Sequence, residues 1–279
     1  LSYYLQYWMR PFTFYCLLAV SSMSYAQSKV DSALSTTYRA FSSKIGSTSF
    51  RDDFISPLRY DLYAIGLEFQ QQHQKSQKLS TLLSTISVGV PSRPNTLKVA
   101  TGEFNIYFAK QYDVLHSANA HLYLGGFTGL NIATRFSDIY NLGYGNNEVS
   151  VDAGLRAGVA LSYWKSMRIF RKKVQFRNFF MMPIISVLGR SGYAHDAYFK
   201  EELWKYLGNY IYVGSINKYF FYTNRATLYF GEKEYANAKY PNRKSAWRIG
   251  IEWSFRHYSA PSELSLGNTS LTVGKVIIF

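Results

Sequence analysis

Cysteine is nearly absent: the 279 residues contain one, Cys16. No disulfide can form within the chain, and beyond residue 16 thiol catalysis and Cys-based metal sites are excluded. Long apolar runs are missing too. Hydrophobic residues make up 47% of the chain, yet mean hydropathy is -0.15, which excludes a bundle of membrane helices. No Pro/Ser-rich linker divides the sequence, so one large domain is expected. Acidic residues are few, 17 Asp and Glu against 31 Lys and Arg, for a net charge of +14. Such a surplus first suggests nucleic acid. The basic residues, however, sit in connections such as KSMRIFRKK and YPNRKS, not in an aromatic-interleaved groove, and no nucleic-acid partner is expected. Neither a phosphate loop nor a dinucleotide fingerprint occurs, and no cofactor is expected.

What the chain has in quantity is aromatic residues, 25 Tyr, 20 Phe and 5 Trp. With moderate hydropathy, that fits a soluble all-β protein or a transmembrane barrel, whose apolar residues come at every second position.

The N-terminal stretch MRPFTFYCLLAVSSMSYAQS reads as a cleavable secretory signal. Met9 and Arg10 give a start and a positive region, Phe12 to Val20 a short apolar core, and Ser24-Tyr25-Ala26 a cleavage site before Gln27. Residues 1–26 are therefore assigned to the signal, with 1–8 a gene-calling overrun or a longer anchor. Residues 27–57 are assigned to a periplasmic segment and 58–279 to the folded domain.

Alternation is clearest around VDAGLRAGVALSYW. Val149, Val151, Ala153, Leu155, Ala157, Val159, Leu161 and Tyr163 share one face, and Ser150, Asp152, Gly154, Arg156 and Gly158 the other. The pattern recurs in ANAHLYLGGFTGLNI and in AWRIGIEWSF, where Trp247, Ile249, Ile251, Trp253 and Phe255 oppose Arg248, Glu252 and Arg256. Less regular segments are 58–72, 79–90, 97–112, 174–188 and 210–230, the last long enough to bend or break. With the final strand, nine segments are visible. An even number is preferred in bacterial barrels, so roughly ten strands (8–12) are expected, one of them missed or split.

A soluble sandwich would also alternate, but it would turn its polar face to water. Here the polar face carries glycine and isolated charges, as a narrow lumen would. Glu68, Glu103, Asp152 and Glu252 against Arg156, Arg248 and Arg256 then form a neutralising network inside an antiparallel up-and-down β-barrel. The simplest role for that network is a structural plug.

The chain closes with TVGKVIIF, in which Gly274, Ile277 and Phe279 resemble the C-terminal signal of Gram-negative outer-membrane barrels. The resemblance implies an outer-membrane location, recognition by the barrel-assembly machinery, and a last strand that pairs with the first. Both termini are then periplasmic, with long connections outside. Gly189–Asn209, holding a short helix at KEELWKYL, Phe136–Asn147 and Gly231–Ser245 are the expected outer loops and candidate contact regions. FISPLRY, NLGYGNN, PIISVLG and TNR further resemble an uncharacterised family of outer-membrane barrels from Bacteroidota. That family implies fold and location and lends no reaction.

One constellation suggests catalysis. In RHYSAPSE, His257 and Ser259 share the lipid-facing side with Trp253 and Phe255, and Glu263 follows. This resembles the His-x-Ser element of outer-membrane lipid A deacylases, which implies a histidine base, a serine nucleophile and an orienting acid. The sequence departs from that pattern at Ala260 and Leu271. His73, His116, His121 and His195 are scattered singly, without metal-ligand spacing, and no metal is expected. Basic connections including Arg171, Lys172 and Lys173 are expected to meet lipopolysaccharide phosphates. The reading is a structural, binding or small-solute permeation barrel with no identifiable catalytic site, its solute or protein partner unnamed; the alternative is a lipid A deacylase-like hydrolase.

Overall fold

The computed structural model describes residues 35–53, 56–92, 99–117, 119–137, 149–190, 211–234, 244–259 and 263–279. The proposed signal, the KEELWKYL stretch, His195 and most of the long connections lie outside them.

Eleven strands account for nearly all of these residues: β1 (Thr36–Asp52), β2 (Ser56–Lys75), β3 (Lys78–Pro91), β4 (Val99–His116), β5 (Ala120–Ser137), β6 (Val149–Ile169), β7 (Lys172–Arg190), β8 (Ile211–Ser215), β9 (Tyr219–Glu234), β10 (Lys244–Tyr258) and β11 (Leu264–Ile278). Sequence neighbours pair antiparallel from β1 to β7, β7 pairs with both β8 and β9, and β9, β10 and β11 continue the ring. Fifteen residues of β11, from Leu264 to Ile278, register against Tyr38 to Asp52 of β1 and close it. At that seam neither β1 nor β11 is left with a free edge for lipid to expose.

Eleven strands make ten staves, because β8 and β9 share one. β8 pairs with the end of β7 at Ile185–Gly189, while β9 pairs with its beginning at Val174–Met181. The turn at residues 216–218 lies between them, with the Lys218 amide donating to the Ser215 carbonyl at 3.0 Å. Segment 210–230 is therefore the split stave. The stave absent from the sequence reading is β1, and the assignment of 27–57 to a periplasmic segment is corrected accordingly. Its outward positions, Arg39, Phe41, Ser43, Ile45, Ser47 and Ser49, carry too few apolar residues for the alternation to stand out.

Polarity is inverted relative to a water-soluble sheet. Outward Ile45, Ile65 and Leu67 are 62–64% exposed, while inward Glu68, Arg135 and Arg248 are 1–2% exposed. An apolar exterior around a charged interior is stable only where lipid surrounds the wall. Pro183 interrupts one ladder: Gly158 faces Pro183 and Ala157 faces Ile185, leaving Ile184 as a bulge. The bulge accommodates a residue that has no amide hydrogen to donate. Gly158 allows the approach, since a Cβ there would collide with the Met182 carbonyl and the Pro183 backbone.

Two rims result. Thr36, Phe279, the turns at 76–77 and 170–171, the end of β9 and the start of β10 lie at the chain-end rim; the ends of β1, β3, β5, β7 and β10 lie at the loop rim. The described ends of the expected outer loop 231–245, residues 231–234 and 244–245, thus lie at the chain-end rim, because β9 runs toward that rim and β10 away from it.

Candidate functional site: the filled lumen and its two mouths

The inward side chains stack in layers. Nearest the loop rim, Asp52 and Asp152 share two arginines. Arg135 reaches Asp52 at 3.2 Å and Asp152 at 2.8 Å, while Arg190 meets Asp52 and approaches Asp152 at 3.4 Å; all four side chains are buried. Below lies a polar layer. Arg256 holds Glu103 at 2.6 Å, Asn131 donates to Glu103 at 3.0 Å, and Arg156 donates to Asn131 at 3.1 Å and to the Tyr258 hydroxyl at 2.6 Å. The Phe221 ring supports the Arg156 guanidinium, 4.5 Å from its centroid.

The central layer is a chain of ions from β1, β2, β9 and β10. Lys44 meets Glu252 at 2.6 Å, Glu252 binds Arg225, Arg225 reaches Glu68 at 2.7 Å, and Glu68 binds Arg248. Arg248 also donates to Ser42 at 2.6 Å and to Gln70. Opposite this ionic chain, Leu83, Tyr107, Ala109, Phe127, Ala160, Phe179 and Met181 form an apolar cluster inside the barrel. The lumen is thus filled by charge on one wall and hydrocarbon on the other, as a barrel of this size permits. A cavity of about 20 Å³ remains beside Lys44, Thr48, Glu103 and Arg135, room for roughly one water molecule.

Toward the chain ends, Arg177 occupies an aromatic cage. Its guanidinium lies 3.8 Å from the Trp164 centroid, 3.9 Å from Tyr38 and 4.4 Å from Tyr229, and it donates to Gln72 at 2.5 Å. Three ring faces on one cation form a desolvated plug. At the mouth itself, Asp113 Oδ2 accepts from His116 Nδ1 at 3.1 Å and from His121 Nδ1 at 2.9 Å.

The seven charged residues read from alternation all point inward: Glu68, Arg248 and Glu252 in the central layer, Glu103, Arg156 and Arg256 above it, Asp152 at the loop mouth. Reading by alternation missed Lys44, Asp52, Arg135, Arg177, Arg190 and Arg225. The histidines are a correction: His116 and His121 are not scattered singly but converge with Asp113.

On the outer wall near the loop rim, His257 pairs in register with Ser265 of β11, and its Nδ1 lies 2.9 Å from Ser265 Oγ. The expected partner Ser259 instead donates to the Lys218 carbonyl at 3.3 Å. The pairing of His257 with Ser259 is corrected to Ser265, a residue opposed across the ladder and not two positions along it. Glu263 is exposed at the start of that strand, its carbonyl accepting from the Asp53 amide at 3.0 Å. At the other rim, Phe279 exchanges two backbone hydrogen bonds with Thr37 and lies 5.1 Å from the Arg39 guanidinium. Gly274 packs so tightly on Phe41 and Ser42 of β1 that a Cβ would not fit, and Ile277 is half-buried on the outward side with Phe279.

The basic connections are also relocated. Exposed Arg168, Arg171, Lys172 and Lys173 surround the β6–β7 turn, on the chain-end rim and away from the long loops.

No family model matches the chain, and no curated protein matches it. Among solved structures, it is similar to the outer membrane protease OmpT from Escherichia coli, with a TM-score of 0.50 and 10% identity over 91% of this chain and 99% of that one. The translocator domain of the autotransporter NalP from Neisseria meningitidis gives 0.37 and 10% over 95% and 94%. OprG from Pseudomonas aeruginosa gives 0.33 and 10% over 89% and 97%. At such identities the likeness concerns the fold alone. The closed ring and the apolar exterior, with the likeness in fold to OmpT, define the class: a ten-stave transmembrane β-barrel of the outer-membrane type.

Proposed function

We propose that this protein is a sealed outer-membrane barrel with a structural or binding role, its lumen a fixed plug and its working surfaces the two rims. The observation that carries this reading is the filling of the cross-section at successive levels by the Asp52–Arg135–Asp152–Arg190 group, the Lys44-to-Arg248 ionic chain and the caged Arg177. Small-solute permeation would require these side chains to part. Planar-bilayer recording tests this. The purified barrel is expected to give no steady conductance at 100 mM salt, and regular channel steps from the wild type would overturn the proposal.

With the chain ends in the periplasm, the basic chain-end rim meets phospholipid phosphates of the inner leaflet, while lipopolysaccharide surrounds the mixed-charge loop rim. Recognition by the barrel-assembly machinery would use Gly274, Ile277 and Phe279 on the strand that closes the ring. Membership of the Bacteroidota family rests on FISPLRY, NLGYGNN, PIISVLG and TNR, and would gain support if related chains kept those four segments in this order.

The alternative hydrolase reading is favoured by one observation, the outward His257–Ser265 pair at the height of the loop rim. A serine nucleophile would then be Ser265, with His257 as base. Acyl release from lipid A that persists in Ser259→Ala and is lost in Ser265→Ala would support it; no release from the wild type would dismiss it.

A further inference from the structure

The β4–β5 hairpin carries a bulge with a chemical consequence. Asp113 faces Tyr123, Leu115 faces Leu122 and His116 faces His121, so that Val114 is the extra residue. Along a regular strand Asp113 and His116 would point to opposite sides of the wall. The extra residue restores them to one side, where His121 of the next strand joins them. Bulges that re-aim a side chain in this way recur at functional sites.

We propose that Asp113, His116 and His121 form a binding site for a divalent first-row transition-metal ion, with zinc as the reference occupant, at the chain-end mouth of the lumen. One donor atom from each residue lies within 4.8 Å of the others, and the two nitrogen-to-oxygen separations are 2.9 and 3.1 Å. Donors about 2.0–2.1 Å from a tetrahedral ion stand roughly 3.3 Å apart, so a small parting of the rings admits one. Two imidazoles with one carboxylate form a borderline donor set that suits zinc, nickel, copper or ferrous iron better than calcium or magnesium, which favour oxygen cages.

A second observation points the same way. The Asp113 side chain is 3% exposed, and its Oδ1 is buried with no hydrogen-bond partner among the described residues. A buried carboxylate oxygen left unpaired is costly, and an ion drawn between Asp113 and the two rings relieves it. The surroundings hold the donors in place: the Asp113 amide donates to the Gln77 carbonyl at 2.7 Å, Tyr123 stacks on His121 at 5.9 Å, and Gln74 donates to the Tyr123 hydroxyl at 2.8 Å. His116 is 73% exposed, which opens the site to solvent and leaves a coordination position for water or an exogenous group. On binding, each Nδ1 gives up its hydrogen bond to Asp113 and the ring carries its proton on Nε2. The site does not depend on whether the lumen conducts.

The test is zinc titration by calorimetry of the detergent-purified barrel after chelator treatment, with cobalt absorption reporting geometry. One zinc per chain is expected, with affinity falling at least about tenfold in His116→Ala and His121→Ala and unchanged in His73→Ala, a histidine that instead bonds to Thr37. Heat-modifiable gel mobility confirms that each variant is folded; His116→Gln replaces any that is not. Absence of binding up to millimolar zinc, or binding indifferent to His116 and His121, would overturn the proposal and leave the three groups as a hydrogen-bonded cluster.

Discussion

The two mouths of the barrel are closed by different chemistry. At the loop mouth, two aspartates and two arginines are fully buried and neutralise one another; at the chain-end mouth, two imidazoles lean on one carboxylate, and one of them is largely in water. The first arrangement holds fixed charge and tolerates no missing member, because a buried ion without its partner is far costlier than the pair is favourable. The second can lose or gain a partner at little expense to the fold. Permanence at one end and adjustability at the other is the lesson of the contrast.

Breaking the fixed side gives the largest effect. Asp152→Ala leaves Arg135 and Arg190 sharing Asp52 and is expected to destabilise the barrel by about 3–5 kcal/mol, read as a lowered urea midpoint for unfolding from lipid vesicles. Glu68→Ala, which takes from Arg248 its carboxylate and leaves Arg225 with Glu252 alone, should fall in the same range. Next comes the cage: Arg177→Ala removes a cation from three rings and is expected to cost about 2 kcal/mol or more by the same measurement. In the metal-free protein, His116→Ala at the adjustable mouth should change stability, read from the same midpoint, by about 1 kcal/mol or less. A loss as large as that of Asp152→Ala would erase the distinction between the mouths.

The smallest effect concerns the turn between β6 and β7, where Phe170 and Arg171 adopt φ of 48° and 65°. Two-residue hairpin turns with both residues left-handed favour Asn-Gly, and Phe170→Asn with Arg171→Gly is expected to stabilise by about 1 kcal/mol. An unchanged midpoint would place that strain within what the chain-end rim absorbs.

How far the sequence could be read depended on regularity. In β10, Trp247, Ile249, Ile251 and Trp253 alternate with Arg248, Glu252 and Arg256 without exception, so wall, lumen and charge were all legible, and the barrel was too. In β1 the outward serines dilute the signal, and Lys44 and Asp52 disappeared with the strand. His116 was hidden because one extra residue, Val114, reverses its side, and nothing local in YDVLHSANAH declares a bulge. The contact of His257 with Ser265 depends on the register between β10 and β11, a long-range property that no single strand carries.

The ionic chain joins residues remote along the polypeptide, Lys44 with Glu252 being 208 positions apart. Such pairs cannot exist in a partly wound sheet; they come within reach only when β1 and β11 meet. In water, meanwhile, the lipid-facing side chains are the ones that would seek burial, so an uninserted chain is driven toward collapse with the wrong face inward. The plug therefore acts as a latch on assembly: it has nothing to hold until insertion and ring closure are complete, and afterwards opening the β1–β11 seam means separating buried charges. A barrel locked in that order should resist unfolding far more by rate than by equilibrium.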